Sequence, residues 1–228
     1  MPGKLNLVFD IDDTLLRYTK NAEWEAMSPE TRAKFRIWKS KNGVFVLRPH
    51  FDEMMKFAFE NCATVNLWTW SEREYGNEVA KLIQGCNPAW KIANVWVDDD
   101  VEASMEYGIR NYPNKTGHAK DLNYLWYAKK KFNPCDTILV DDRDGNIQNP
   151  SNRRNGIHIK MFHPNEPGAE NDDAFLKIIA KLKELMASPD FCKEGDLPFP
   201  LPAPFPVGRG RRRRTKKAKK ARRKTSRA

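Results

Sequence analysis

Leu5-Asn6-Leu7-Val8-Phe9-Asp10-Ile11-Asp12-Asp13-Thr14-Leu15 is a short apolar run that ends in three carboxylates and a threonine. Such a run reads as a strand buried on both faces, as in a parallel sheet covered by helices. Crowding Asp10, Asp12 and Asp13 at its tip is unfavourable, because close like charges raise one another's pKa unless a cation or fixed donors offset them. The plain alternative is an acidic strand-to-loop junction that reaches water. Carboxylates one residue apart at the carboxyl end of a strand suit a hard divalent cation instead.

Outward from this stretch, strand-like runs alternate with helical ones. Val44-Phe45-Val46-Leu47, Val65 to Trp70, Thr137-Ile138-Leu139-Val140 and Ile157-His158-Ile159 read as strands. Ser28-Pro29 signals a helix start, Phe35, Ile37 and Trp38 give that helix a buried side, and Asn42-Gly43 stops it. Further helices are expected from Asp52 to Asn61, from a capping box at Ser71-Glu72-Arg73-Glu74 through Ile83, from His118 to Phe132, and from Asp173 to Met186. Residues 87–117 read as an inserted small sheet or loop, with Asp98-Asp99-Asp100 a solvated acidic turn. Strands alternating with helices imply an α/β fold built on a parallel sheet. Only about 30 residues separate the acidic tip from Val44, which is room for a flap and not for a large cap domain.

The 228 residues suffice for one substantial core with appendages. The net charge of +10 is concentrated at one end. Residues 209–228 hold 13 Lys and Arg and no acid, leaving 27 bases against 30 acids in residues 1–208. The chain therefore divides into a globular domain over residues 1–190, a Pro-rich linker over 191–208 and a disordered basic tail over 209–228. Cys62, Cys86, Cys135 and Cys192 lack zinc-ligand spacing and read as reduced thiols. No apolar run approaches membrane-spanning length, and the N-terminus has carboxylates where a signal peptide needs an apolar core. A soluble intracellular protein, with no membrane partner, is the expectation.

Three of the expected buried strands end in polar residues: Asp10 and Asp12, Thr69, and Asp141 and Asp142. In an open parallel sheet the ligand crevice lies outside the carboxyl ends of the strands. Neighbouring strands would gather these carboxylates and the hydroxyl there. A carboxylate cluster with no His or Cys points to Mg²⁺ rather than zinc. Lys120, expected in the first turn of its helix, would place an ammonium and a helix N-terminus on one anion. Each of these has a bland reading. Thr14 reads as a hydroxyl that orders the backbone, Ser71 as the N-cap of its helix, Asp13 as a turn residue and Lys120, taken alone, as a solvated helix residue. His50, His118, His158 and His163 show no ligand spacing.

Together these stretches resemble the haloacid dehalogenase superfamily, and within it the RNA polymerase II C-terminal-domain phosphatases, or NLI-interacting-factor-like phosphatases. Asp10-Ile11-Asp12-Asp13-Thr14 is similar to the DxDxT signature. Leu47-Arg48-Pro49, Leu67-Trp68-Thr69-Trp70-Ser71, Ala119-Lys120-Asp121-Leu122 and Leu139-Val140-Asp141-Asp142-Arg143 follow in the family's order. The resemblance implies a Rossmann-like sheet flanked by helices, with a flap and small insert. It also implies a Mg²⁺-dependent phosphomonoesterase working through an aspartyl-phosphate. Asp10 would be the nucleophile and Asp12 the general acid–base, with its main-chain carbonyl on the metal. Thr69 and Lys120 would bind the phosphoryl group. Asp142 would complete the Mg²⁺ site, and Asp141 would orient Lys120 or a metal water.

A cleft with only a flap accepts a phosphate carried on something large. A Ser/Thr phosphoprotein is the leading substrate, and a polynucleotide 3′- or 5′-phosphate is the alternative. The basic tail suits nucleic-acid attachment or a nuclear address. A catalytically idle nucleic-acid-binding or scaffold protein is the non-enzymatic reading.

Overall fold

The apolar run near the head of the chain forms β1 (Asn6–Phe9), with every residue buried. The computed structural model describes residues 4–112 and 114–188. Beyond β1 come β2 (Leu16–Lys20), α1 (Asn21–Ala26), α2 (Pro29–Arg32), β3 (Ile37–Lys39) and β4 (Gly43–Leu47). Next are α3 (Phe51–Asn61), β5 (Thr64–Trp68), α4 (Arg73–Cys86), β6 (Asn94–Trp96) and α5 (Asp98–Asn111). The last elements are β7 (Thr137–Asp141), α6 (Asp144–Ile147), β8 (Gly156–His158) and α7 (Ala174–Ala187). The expected linker at 191–208 and tail at 209–228 lie outside the described residues.

A five-stranded parallel sheet has the order β6-β5-β1-β7-β8, with β1 at its centre. Successive strand residues point to opposite faces. Leu7 and Phe9 therefore join a core layer with Met54 of α3, Val79 of α4 and Phe175 of α7. Val8 joins another with Trp68, Val101 of α5 and Leu125. Covering both faces accounts for the continuous apolarity of the central strands. From β1 the chain runs outward to β5 and β6 on one side, then to β7 and β8 on the other. The switch point lies at the carboxyl end of β1, where ligands bind in sheets of this kind.

A separate antiparallel sheet, β2-β4-β3, forms the flap. Here the expected helix from Ser28 gives way after one turn. Ser28 caps α2, its Oγ accepting the Thr31 N–H at 3.2 Å, but Ile37, Trp38 and Lys39 pair with β4. Asn42 ends the hairpin connection and Gly43 opens β4, with Ser40 N–H bonded to Gly43 O at 2.9 Å. Strand pairing with β4, and not the helix stop at Asn42-Gly43, decided the fate of Ile37 to Lys39. A Cβ at position 43 would meet Thr19 O at 2.4 Å, so the strands approach closely because this residue is glycine.

Residues 87–117 are not an inserted sheet or loop. β6 extends the main sheet beside β5, and α5 is a 14-residue helix. Asp98, Asp99 and Asp100 form its first turn, where carboxylates complement the helix dipole. Asp100 accepts the Val97 N–H and pairs with Lys129 at 2.8 Å. The expected helix from His118 contracts to a π-helical turn, Tyr124–Ala128. Upstream of it, the N–H groups of Asp121, Leu122 and Asn123 donate to the side chains of Ser104, Asn152 and Asp121. The Asp121 carboxylate thereby caps a short helical segment that opens at Leu122 instead of His118.

Among the cysteines, Cys62 and Cys86 are free, whereas Cys135 is disulfide-bonded, contrary to the expectation of reduced thiols. Spacing along the chain does not report distance in the fold. No helix among the described residues is long and apolar enough to cross a membrane.

Arg48, just beyond β4, ties the flap to the loop after β1. Its side chain is fully buried and pairs with Asp172 at 2.8 Å. It donates to the carbonyls of Asp13, Thr14 and Lys160, and its guanidinium lies over the rings of Phe162 and Phe175. Removing one partner of a buried pair leaves an uncompensated charge. Arg48→Ala should lower the unfolding free energy by about 3–5 kcal/mol, measured by chemical denaturation. A loss below about 1 kcal/mol would show that Asp172 and the carbonyls are satisfied without it.

Candidate active site

Phe9 stands in register with Leu67 of β5 and Val140 of β7. One step further on, Asp10 sits beside Asp141, its N–H bonded to Val140 O at 2.9 Å. The loop that follows folds back at once. Leu15 and Leu16 N–H both reach Ile11 O, and Asp13 adopts φ 63°, a left-handed conformation that aspartate tolerates better than most residues. Asp13 pairs outward with Arg17 at 2.5 Å, a turn residue's role.

Lys120 is the hub. It is only 1% exposed, and its ammonium donates to Asp10 and, at 2.8 Å, to Asp141. It reaches them from the turn just before the helical segment that opens at Leu122, outside the first helical turn in which it was expected. Asn152 holds that turn by donating to Lys120 O. Asp141 accepts from Arg143 N–H at 2.8 Å and from Asn146 Nδ2 at 3.0 Å as well as from Lys120. Its oxygens are committed to protein donors, which suits orienting Lys120 better than ligating a metal.

Asp142 follows on the outer side, its Oδ1 accepting from the Thr14 hydroxyl at 3.2 Å. Thr14 thus bonds a carboxylate of the site, where the sequence suggested a bond to backbone. Thr69 extends β5 by one residue, its N–H bonded to Trp96 O at 3.0 Å. Thr69 Oγ1 accepts from Ser71 N–H at 3.1 Å, leaving its own proton to donate. Trp70 beside it is 43% exposed and offers an apolar surface. Ser71 is not the helix cap. Glu72 occupies that position without a side-chain bond, and Ser71 Oγ turns to Asp12 Oδ2 at 3.4 Å.

The electrostatics follow from burial. Desolvation pushes Asp10 up to about 8, against the pull of Lys120 and with Asp141 and Asp142 adding to the rise. Burial also raises Asp12, opposed by bonds from Tyr75 and Ser71. Burial raises Asp142, with Asp141 adding to it. Lys120 is held above its ordinary value despite its burial, because Asp10 and Asp141 favour the ammonium. Four carboxylates face one ammonium, and the arrangement has room for more positive charge.

The structure brings together Asp10, Asp141, Asp142 and Lys120, and links Asp12 to Thr69 through Ser71. Sequence reasoning missed Tyr75, whose hydroxyl donates to Asp12 Oδ1, and Asn146, which braces Asp141. Ser71 precedes α4 and Tyr75 lies in its first turn, both within a few residues of Thr69, and that closeness along the chain was the available signal.

A central parallel sheet flanked by helices, with paired carboxylates at the end of its central strand, is the architecture that the resemblance to haloacid dehalogenase-like phosphatases implied. Residues 5–192 match the model of the family NLI interacting factor-like phosphatase, and the chain belongs to that family. It is 25% identical to Ubiquitin-like domain-containing CTD phosphatase 1 of Drosophila melanogaster, over 83% of this chain and 52% of that protein. It is also 25% identical to the Putative CTD phosphatase-like protein 355R of Invertebrate iridescent virus 3, over 75% of this chain and 91% of that protein. The chain spans about half the length of the first of these. Among solved structures it is similar to fission yeast RNA polymerase II CTD phosphatase Fcp1, with a TM-score of 0.47 and 17% identity over 81% of this chain and 53% of that one.

Proposed function

We propose that the chain is a Mg²⁺-dependent phosphomonoesterase working through an aspartyl-phosphate, with a Ser/Thr phosphoprotein as its substrate. The observation that carries this reading is Lys120, buried between Asp10 and Asp141 at the end of the central strand. A buried ammonium there holds a nucleophilic carboxylate and can neutralise an incoming phosphoryl group. Asp10 attacks phosphorus while Thr69 and Lys120 hold the phosphoryl oxygens. Asp12 protonates the leaving oxygen, then takes a proton from the water that hydrolyses the aspartyl-phosphate.

The donors fit a hard cation. They are oxygens only, and the buried acids outnumber Lys120. Among the described residues no three His, Cys, Asp or Glu side chains group as a metal cage. Mg²⁺ does not require one, because it commonly binds one or two carboxylates and completes its shell with water and substrate phosphate. Asp10 and Asp142 would hold it, with the Asp12 main-chain carbonyl, and it would supply charge neutralisation at the phosphoryl oxygens. Chelation should therefore abolish turnover of an aryl phosphate, at least about 100-fold, and added Mg²⁺ should restore it. Turnover that survives exhaustive chelation would exclude the metal.

The phosphoprotein substrate is favoured by the relatives named CTD phosphatases and by the exposed Trp70 beside Thr69. The basic residues 209–228 favour action near nucleic acid or in a nucleus. They also support the second reading, a polynucleotide phosphatase. Phosphopeptides, phosphorylated oligonucleotides and small metabolites should be compared with the whole chain and with residues 1–208. Phosphopeptide turnover indifferent to the truncation supports the first reading. Oligonucleotide turnover that falls with salt, and only when the tail is present, supports the second.

A further inference from the structure

Asp12 is gripped at both carboxylate oxygens by residues from the entrance of α4. The Tyr75 hydroxyl donates to Oδ1, and the Ser71 hydroxyl reaches Oδ2 at 3.4 Å. The Tyr75 ring is in turn seated by the flap. Tyr18 of β2 meets it edge-on with centroids 6.4 Å apart, and Phe45 of β4 lies 5.8 Å away. Packing alone would be served by phenylalanine at this position. A largely buried tyrosine hydroxyl needs a polar partner, and this one has the carboxylate.

A carboxylic acid that donates a proton must carry it on the oxygen facing the leaving group. Tyr75 donates closely into Oδ1, whereas the Ser71 hydroxyl is 3.4 Å from Oδ2 and can turn to accept, which leaves Oδ2 the oxygen freer to carry the carboxyl proton of Asp12. We propose that Tyr75 is a positioning residue for Asp12, fixing which oxygen delivers the proton, and that the flap holds it in place through Tyr18 and Phe45. In the step concerned, the proton passes from Asp12 Oδ2 to the ester oxygen as its bond to phosphorus breaks. Tyr75 keeps its own proton throughout. The inference rests on the acid–base role given to Asp12 above.

The test uses leaving groups. p-Nitrophenolate departs without a proton, whereas a serine alkoxide requires one. The quantity to compare is kcat/KM, because it stops at formation of the aspartyl-phosphate and excludes the later hydrolysis. Tyr75→Phe should lower kcat/KM about 10- to 30-fold on a phosphoserine peptide and less than about threefold on p-nitrophenyl phosphate. In an Asp12→Asn background the same change should add nothing on the peptide. Tyr18→Leu leaves the hydroxyl intact and should show the same split at about threefold to fivefold.

Equal losses on the two substrates, or a further loss in the Asp12→Asn background, would overturn the positioning role. An equal effect of Tyr18→Leu on both substrates would overturn the flap's part in it. A wild-type protein that cleaves neither substrate would remove the phosphatase reading itself, and this inference with it. Cleavage with an unselective Tyr75→Phe removes this inference alone.

Discussion

Asp10→Asn should lower kcat by about 10⁴-fold or more while leaving the fold intact. The amide has the carboxylate's shape and can still accept from Lys120, but it cannot attack phosphorus. Burial already disfavours the ionised form of Asp10, which is pushed up to about 8. Folding already works against an ionised Asp10, and in the variant Lys120 keeps Asp141 as its counter-ion, so the unfolding free energy of the metal-free protein should stay within about 1 kcal/mol of wild type or rise. A second measurement isolates the chemistry. Brief incubation with radiolabelled substrate followed by denaturation should leave label on the wild-type chain and none on the variant. Activity within tenfold of wild type would mean that another group is the nucleophile.

Lys120→Met should cost both activity and stability. Methionine fills much of the same volume but leaves Asp10 and Asp141 buried without their cation. Breaking such a buried pair costs about 3–5 kcal/mol. Loss of a charge that faces the phosphoryl group costs about 10²- to 10³-fold in kcat. The two effects separate in a double variant. Lys120→Met with Asp141→Asn should recover part of the stability, since one stranded charge is gone, and none of the activity. Full activity in Lys120→Met would refute the role given to the ammonium. Unchanged stability would show that the carboxylates are neutral or hydrated in the folded protein.

Much of the fold was legible along the chain. β1, β4, β5 and β7 lie where apolar runs announced them, and Phe175, Ile178 and Leu182 of α7 are buried as their spacing required. These are local signals, set by period and by turn residues. The misreadings came where two local signals competed or a distant one intervened. Ile37-Trp38-Lys39 could continue a helix or pair with β4, and the hairpin prevailed. The helix expected from His118 opens only at Leu122, where the side chains of Ser104, Asn152 and Asp121 take up the first N–H groups.

The candidate site divides in the same way. Local pattern sets which residue types stand at the strand ends, because Asp10, Asp12, Thr69, Asp141 and Asp142 each follow a buried run within a few residues. Lys120 is marked by its place in the motif order. What each carboxylate touches follows from packing across the fold. Asp141 is bound to Lys120 and Asn146, Asp142 to Thr14, and Asp12 to Ser71 and Tyr75. Hydrogen bonds between residues as far apart as Thr14 and Asp142 depend on which strands become neighbours. Burial of the whole sheet sets that arrangement, and no local pattern encodes it.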